Sequence, residues 1–434
     1  MTQNNSRRDF IKASSILAIG FSLPSFGNSK TIVNKIDTTN ASALGLELNP
    51  YILINDAGKI TLLNARPDMG QGTYQALPML LAEELEVTLD QVEIRNTDGQ
   101  GKYGSQQSGG SSSVNSRWIP MRTAGAAVRE MLISAAATKW QVPVGECFAE
   151  NAKVIHKPTN RAFTYGELVA EASKLEVPKS PKLKDPKDFK LLGKSIPRPE
   201  IPSKVNGTAV FGIDGDVPGM LYASIEHSPT IHGKVLSYDG ADAMKVKGVK
   251  FVLKTERKMP HKTVEAVAVV ADNYWAALKG RKALKIKWDA EGSDKISTDA
   301  YYADLQKLAK TKGEIYKDNT KGDFTKEFAE ATQKLEGYYQ TPFAAHAALE
   351  PQNATVWVQG DKVELWAPVQ APDGVMQEVA QYLKIKPENI KVNVPFMGGS
   401  FGRKAYYDYV MEAVHISKQV NAPIKVIWTR EDDT

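Results

Sequence analysis

The stretch "NVPFMGGSFGRKAYYDYVMEAV" runs from Asn393 to Val414. A strand-like run stops at Pro395, glycines follow at 398, 399 and 402, and a helix-prone segment comes next. Glycine lets a backbone come close to a ligand, and a helix N-terminus offers it unpaired amides. The turn Gly398-Gly399-Ser400-Phe401-Gly402-Arg403-Lys404 fits neither the P-loop spacing nor the dinucleotide fingerprint. Arg403 and Lys404 open the expected helix, where cations are unfavourable unless an anion is near. Their placement therefore points to a neighbouring phosphate or carboxylate.

Three more polar, glycine-flanked turns sit where a strand gives way to a helix. They are "DMGQG" (Asp68 to Gly72), "YGSQQSGGSSSV" (Tyr103 to Val114) and "WAPVQAPDG" (Trp366 to Gly374). Each is expected to present free backbone N–H groups at the positive end of a helix. Gln71, Gln106, Gln107 and Gln370 each add a donor and an acceptor. One such turn is weak evidence. Four together suggest a large, polar, phosphate-bearing ligand.

The chain has 434 residues, 42% apolar and 24% charged, an ordinary soluble composition. Its net charge of +5 is spread along the sequence, without the concentrated basic arm that nucleic-acid binding would require. Cys147 is the one cysteine, so the chain can form neither an internal disulfide nor an iron–sulfur site. It is expected to be a small buried hydrophobe. Electron-relay centres, if used, must lie on another chain.

"SRRDFIK" (Ser6 to Lys12) followed by a short apolar stretch reads as a twin-arginine export signal over residues 1–30. That signal implies a periplasmic protein. No Ala-x-Ala site follows, which leaves an uncleaved membrane anchor open. Residues 31–177 alternate strand and helix patterns, among them a hairpin around Ala57-Gly58 and a long helix ending at Trp140. The Lys- and Pro-rich residues 178–202 read as an extended linker. Residues 203–311 form a turn-rich α+β unit, and 312–434 a further strand-and-helix unit. The chain stops just after a strand, which reads as an incomplete domain.

On these residues the sequence resembles the large, molybdopterin-binding subunit of the xanthine dehydrogenase/aldehyde oxidase family. The resemblance is to the branch typified by the isoquinoline 1-oxidoreductase large chain. "MGGSFGRK" resembles that family's Gly-Gly-x-Phe-Gly turn, and "WAPVQAP" its Trp-x-x-x-Gln element. "AAHAALEPQNATVWV" resembles its His-x-x-x-Glu-Pro stretch. "DMGQGTYQALPMLLAEEL" precedes the hammerhead-like segment, as in the permuted branch. The resemblance implies an α+β multidomain fold: an α/β-hammerhead domain over 203–311, with a permuted molybdenum-cofactor-binding segment over 31–177 and an incomplete cofactor-binding domain over 312–434.

It further implies molybdopterin cytosine dinucleotide, held without protein ligands to the metal, by Gly70, Gln71, Gly72, Gln106, Gln107, Ser108, Gly109, Gly110, Gln370, Gly398, Gly399, Ser400, Phe401, Gly402 and Arg403. The activity implied is oxidation of an aldehyde or N-heterocycle with water as oxygen source. A small [2Fe-2S] subunit would take the electrons, with a periplasmic cytochrome c as a second candidate partner. The family's catalytic glutamate, in a Gly-x-Gly-Glu element, is not found in these 434 residues. Gly145-Glu146 is the nearest echo and reads as a helix-cap carboxylate. The chain thus reads as a truncated subunit, and a non-catalytic scaffold for the small subunit is the alternative. Among the remaining candidates, His346 reads as a satisfied loop histidine, Glu350 as a turn-stabilising carboxylate, and Tyr406 and Tyr407 as packing residues. Arg117 and Trp118 read as the first turn of a core helix.

Overall fold

The computed structural model describes residues 46–231, 233–258, 262–314 and 321–434. The export-signal stretch lies outside the described residues. Strands β1 (Leu46–Asn49), β2 (Ile52–Ile54), β3 (Ile60–Asn64) and β4 (Val92–Asn96) form one sheet in that order. β2 and β3 are the expected antiparallel hairpin; β3 and β4 run parallel. A parallel pair needs a crossover, and helix α1 (Thr73–Leu85) supplies it.

Helix α2 (Ser113–Trp140) packs along α1. Gly125 explains how close they come: a Cβ there would lie 2.6 Å from the Leu81 carbonyl oxygen. A small sheet of β5 (Cys147–Glu150), β6 (Lys153–His156) and β7 (Ala162–Thr164) follows, then helix α3 (Tyr165–Ala172). Cys147 is buried in β5, as expected, and burial raises its thiol above the ordinary range. Helix α3 begins with a capping box between Thr164 and Glu167.

Residues 178–202 carry little regular structure, yet they are tied down. Glu83 and Glu84, at the end of α1, are both buried. The Glu83 carboxylate accepts from the amides of Lys190, Leu191 and Leu192. Glu84 accepts from the Lys184 amide and pairs with Arg122 at 2.8 Å and Arg129 at 3.0 Å. Buried carboxylates need such partners. Here the partners are the linker's own backbone, so the linker is fastened to the first core.

Beyond it lie β8 (Leu221–His227), β9 (Lys234–Asp239), β10 (Val249–Lys258), β11 (Thr263–Ala271), α4 (Tyr274–Lys282), β12 (Lys285–Asp289) and α5 (Thr298–Leu308). Then come β13 (Asn353–Gln359), β14 (Lys362–Trp366), α6 (Pro372–Leu383), β15 (Ile390–Asn393), α7 (Asp408–Val420) and β16 (Ile424–Ile427). Seven strands make one sheet in the order β10-β11-β8-β16-β13-β14-β15. It takes strands from both sides of residues 311–312, joined where β16 lies parallel to β8. Ala223, Val426, Val356 and Leu365 share the face that packs with α6 and α7 into a second core. Residues 294–347 contribute nothing to a core: none of those described is buried. The fold is therefore mixed helix and sheet, as the sequence implies.

Candidate functional site

The four glycine-flanked turns converge. We call them loop one (68–72), loop two (103–113), loop three (366–374) and loop four (398–404). Ser108 joins the first two, its hydroxyl donating to the Pro67 carbonyl at 2.8 Å. Its amide donates to the Gln370 carbonyl at 2.8 Å, and the Gln370 side chain returns a bond to the Ser108 carbonyl at 2.6 Å. The Ser400 hydroxyl donates to Gln370 Oε1, and the Gln370 amide donates to the Lys404 carbonyl at 2.9 Å. Ser108, Gln370 and Ser400 are all nearly inaccessible. Three side chains thus staple all four loops into one wall.

The glutamines differ from the sequence expectation. Gln71 turns into its own loop, donating to Pro67 and Thr73 and accepting from the Met69 amide. Gln106 is fully buried between the Gly99 amide and the Gln100 carbonyl. Gln106 and Gln370 are staples, because a buried carboxamide must satisfy both ends and the nearest partners are largely backbone. Gln71 and Gln107 are exposed.

Loop one also departs from the expectation of free amides. Asp68, 2% exposed, accepts from the amides of Gly70 at 2.8 Å, Gly72 at 2.8 Å and Tyr74 at 3.0 Å. The N-terminus of α1 therefore carries an anion of its own. Loops two and four are different. The amides of Ser105, Gln107, Gly109, Gly110 and Ser111 donate to no acceptor among the described residues, and neither do those of Gly399, Ser400, Phe401 and Gly402.

Behind loop two lie two arginines whose role the sequence reading missed. Arg66 donates to the Gln107 carbonyl and to Ser116 Oγ. Arg117 donates to Tyr51 Oη and to the carbonyls of Tyr103 and Ser105. Both are at least nine-tenths buried, neither forms an ion pair among the described residues, and the Nε of each lacks a partner. Burial, and then the charge of Arg117, lower the Arg66 pKa. Arg117 does lie in the first turns of the core helix, as expected. The signal for a further role was its type: a guanidinium on a buried face has to be used.

Loop four rests on Glu350. One carboxylate oxygen accepts from the Ile213 amide at 3.0 Å and Asn353 Nδ2 at 3.1 Å. The other accepts from the Gly398 amide at 2.9 Å and Lys404 Nζ at 2.6 Å. Lys404 is wholly buried; burial lowers its pKa, and the charge of Glu350 only partly offsets this. Gly398 is needed because a Cβ would lie 2.5 Å from the Glu350 Cβ. Gly399 and Gly402 have φ of 90° and 100°, and Phe401 itself sits at 55°. A bulky residue there is strained and, in this case, 73% exposed, so the loop presents it to whatever lies outside.

The segment after loop four is not the helix start that was expected. Residues Arg403–Ala405 form one 3-10 turn, and α7 begins at Asp408. The anions that Arg403 and Lys404 require are protein carboxylates: Arg403 donates twice to Asp408, at 2.8 and 2.9 Å, and Lys404 meets Glu350. His346 is exposed, not a satisfied loop histidine, and stands beside Gly402. Tyr407 packs against the second core, whereas Tyr406 is 57% exposed. Glu146 pairs with His156 at 2.9 Å.

Loops that share one wall, unpartnered amides on two of them and buried arginines without an ion pair among the described residues suit a large anionic ligand. Comparison with known proteins agrees. Two family profiles, each described as a molybdopterin cofactor-binding domain, match residues 12–213 and 308–434. The chain belongs to the xanthine dehydrogenase family of molybdopterin-binding subunits. It is similar to the beta subunit of the isoquinoline 1-oxidoreductase of Brevundimonas diminuta, 28% identical over 99% of the chain and 60% of that relative. It is similar also to the membrane-bound, pyrroloquinoline-quinone aldehyde dehydrogenase of Gluconacetobacter polyoxogenes, at 30% over 99% of the chain and 56% of the relative. A nicotinate dehydrogenase polypeptide of Pseudomonas putida is 26% identical over 89% of the chain and 32% of its own length. The chain thus spans between about a third and three fifths of these relatives. No helix among the described residues is long and apolar enough to cross a membrane.

Proposed function

We propose that this chain forms the cofactor cradle of an exported molybdenum hydroxylase that oxidises an aldehyde or an N-heterocycle with water as oxygen source. The cofactor would be molybdopterin cytosine dinucleotide, and a small [2Fe-2S] partner would carry electrons away, with a periplasmic cytochrome c as candidate acceptor. The observation that carries this reading is the four-loop wall itself, stapled by Ser108, Gln370 and Ser400. When bound, the cofactor supplies the oxygen-transfer and two-electron chemistry.

The residues fit such a group. Orphaned Arg66 Nε and Arg117 Nε leave positive charge behind loop two, and the unpartnered amides of loops two and four would supply donors for phosphate and pterin acceptors. Gly109, Gly110, Gly399 and Gly402 let a flat ring system come within hydrogen-bond reach of the backbone. Phe401 offers an apolar face that excludes water from one side of the reaction site. Gln370 fixes the separation of loops two and four, so a ligand gripped by one is placed against the other. The twin-arginine reading supports export, because that route carries folded proteins in which a cofactor is already inserted.

Metal and pterin analysis of the matured protein, purified with its partner, tests the reading. About one molybdenum and one pterin per chain are expected. A folded complex that lacks both would overturn it in favour of the scaffold role, and turnover of an aldehyde would reject that scaffold role.

A further inference from the structure

Loop four is joined to a buried charge cluster that the cradle does not use. The Arg403 guanidinium, paired with Asp408, stacks on the Trp428 ring at 5.0 Å. Arg257 stacks on the same indole at 5.3 Å and faces Asp408 at 3.8 Å. Trp428 Nε1 donates to Glu412 Oε2 at 2.9 Å, and Glu412 Oε1 meets His227 Nε2 at 2.7 Å. The imidazole and indole rings are 4.8 Å apart. The second ring nitrogen of His227 faces Asp432 at 3.8 Å, an ion-pair distance without a hydrogen bond. Asp432 is held by two bonds from Arg281, at 2.7 and 2.6 Å, and Arg281 also meets Glu226.

Four elements therefore turn charge toward His227 on β8: Glu412 from α7, Asp432 from the turn of helix at Arg430–Asp433, Arg281 from α4 and Arg257 from β10. Among the described residues the cluster holds the carboxylates of Glu226, Asp408, Glu412 and Asp432 against the guanidiniums of Arg257, Arg281 and Arg403.

We propose that His227 and Glu412 are positioning residues for loop four: a charged imidazole holds Glu412 on Trp428, Trp428 seats Arg403, and deprotonation loosens the loop. The role of loop four in a cofactor site rests on the reading above, but the coupling itself does not. Burial would depress the imidazole, yet the charge of Glu412 and the contacts with Asp432 and Glu412 outweigh it, and the pKa is raised. A raised pKa means that this stabilisation is complete below the ordinary value near ~6.5 and is lost as pH rises through the folded value.

Hydrogen exchange of the full chain tests the coupling without any cofactor. The amides of Arg403, Lys404, Ala405 and Tyr406 are hydrogen-bonded within the loop and report its opening. Native protein and His227→Gln are compared at the same pH, which removes intrinsic exchange. At pH ~6 the variant should exchange these amides about fivefold faster; at pH ~9 the two should match. Tryptophan emission of the native chain should titrate over the same interval, since a cationic imidazole quenches a neighbouring indole, and Trp428→Phe should reduce that titration, the His156–Trp140 pair being left unchanged. Equal exchange at both pH values, a difference that persists unchanged at pH ~9, or an emission titration of undiminished amplitude in Trp428→Phe would overturn the proposal. Should His227→Gln fail to fold, Glu412→Gln is read by the same criteria. Molybdenum content does not enter, so failure here leaves the cradle reading standing.

Discussion

Loop one and loop four look alike as sequence: each is a short polar turn with two or more glycines between a strand and a helix. In the fold they are opposites. Loop one closes its amides on Asp68, which carries its own counterions in Arg198 and Lys204, each 3.8 Å away. Loop four gives only the Gly398 amide to a carboxylate, Glu350, and leaves the next four amides without an acceptor among the described residues. A glycine turn is thus an anion grip only when no acidic side chain of its own has taken the place of the anion. The first residue of "DMGQG" is that side chain; "GGSFG" has none, and its carboxylate arrives from 48 residues upstream.

The largest effect is expected where loop four is anchored. Glu350→Gln leaves Lys404 buried without a counter-charge, and breaking a buried pair from one side costs about 3–5 kcal/mol. The double variant Glu350→Gln/Lys404→Met should recover most of that loss, because no isolated charge remains. Thermal unfolding of the two single variants and the double variant measures this directly. Additive losses would mean that the pair does not anchor the loop.

Loop one allows a sharper test of the comparison. Asp68→Ala frees three amides at the start of α1 and should cost about 2 kcal/mol. If Asp68 stands in for an anion, millimolar inorganic phosphate should raise the melting temperature of Asp68→Ala more than that of the native chain. Equal shifts in both proteins would show that loop one is an ordinary capped turn with no latent grip.

Much of this contrast was beyond sequence reading. The elements themselves were legible: α1, α2, α6 and α7 follow apolar periodicity, and β2–β3 follow the turn at Gly58. The sheet of β5 to β7 was not foreseen, because strands of three or four residues leave too few alternations to read. At the site, glycine, serine and glutamine marked the four loops correctly as neighbours, since those residue types are what closely approaching backbones need. Which way each carboxamide points was not legible. Gln106 and Gln370 are buried by segments far away in the chain, and their bonds are decided by whichever backbone groups burial leaves unpaired. Glu350 could be read as structural from its place before Pro351, but its contact with the Ile213 amide joins segments on both sides of residue 311. Arg66 and Arg117 carried a weak signal only, because a lone arginine in a turn or in a helical pattern is ordinarily a solvated one.

The smallest effect separates stability from function within loop four. Phe401 holds φ at 55°, a region where a side chain costs roughly 1–2 kcal/mol and glycine costs nothing. Its ring is mostly exposed, so little burial offsets that strain. Phe401→Gly should therefore leave thermal stability unchanged or raise it by about 0.5–1 kcal/mol, the entropy of glycine in the unfolded chain cancelling part of the gain. The same change removes the apolar face that the cradle turns outward, and pterin retention in the partner-complexed protein should fall. A residue kept in a strained conformation without repaying it in stability is kept for what it touches. If Phe401→Gly lowered the melting temperature while cofactor content stayed at the native level, the ring would instead be packing against the protein, and loop four would resemble loop one: a turn that serves only the fold.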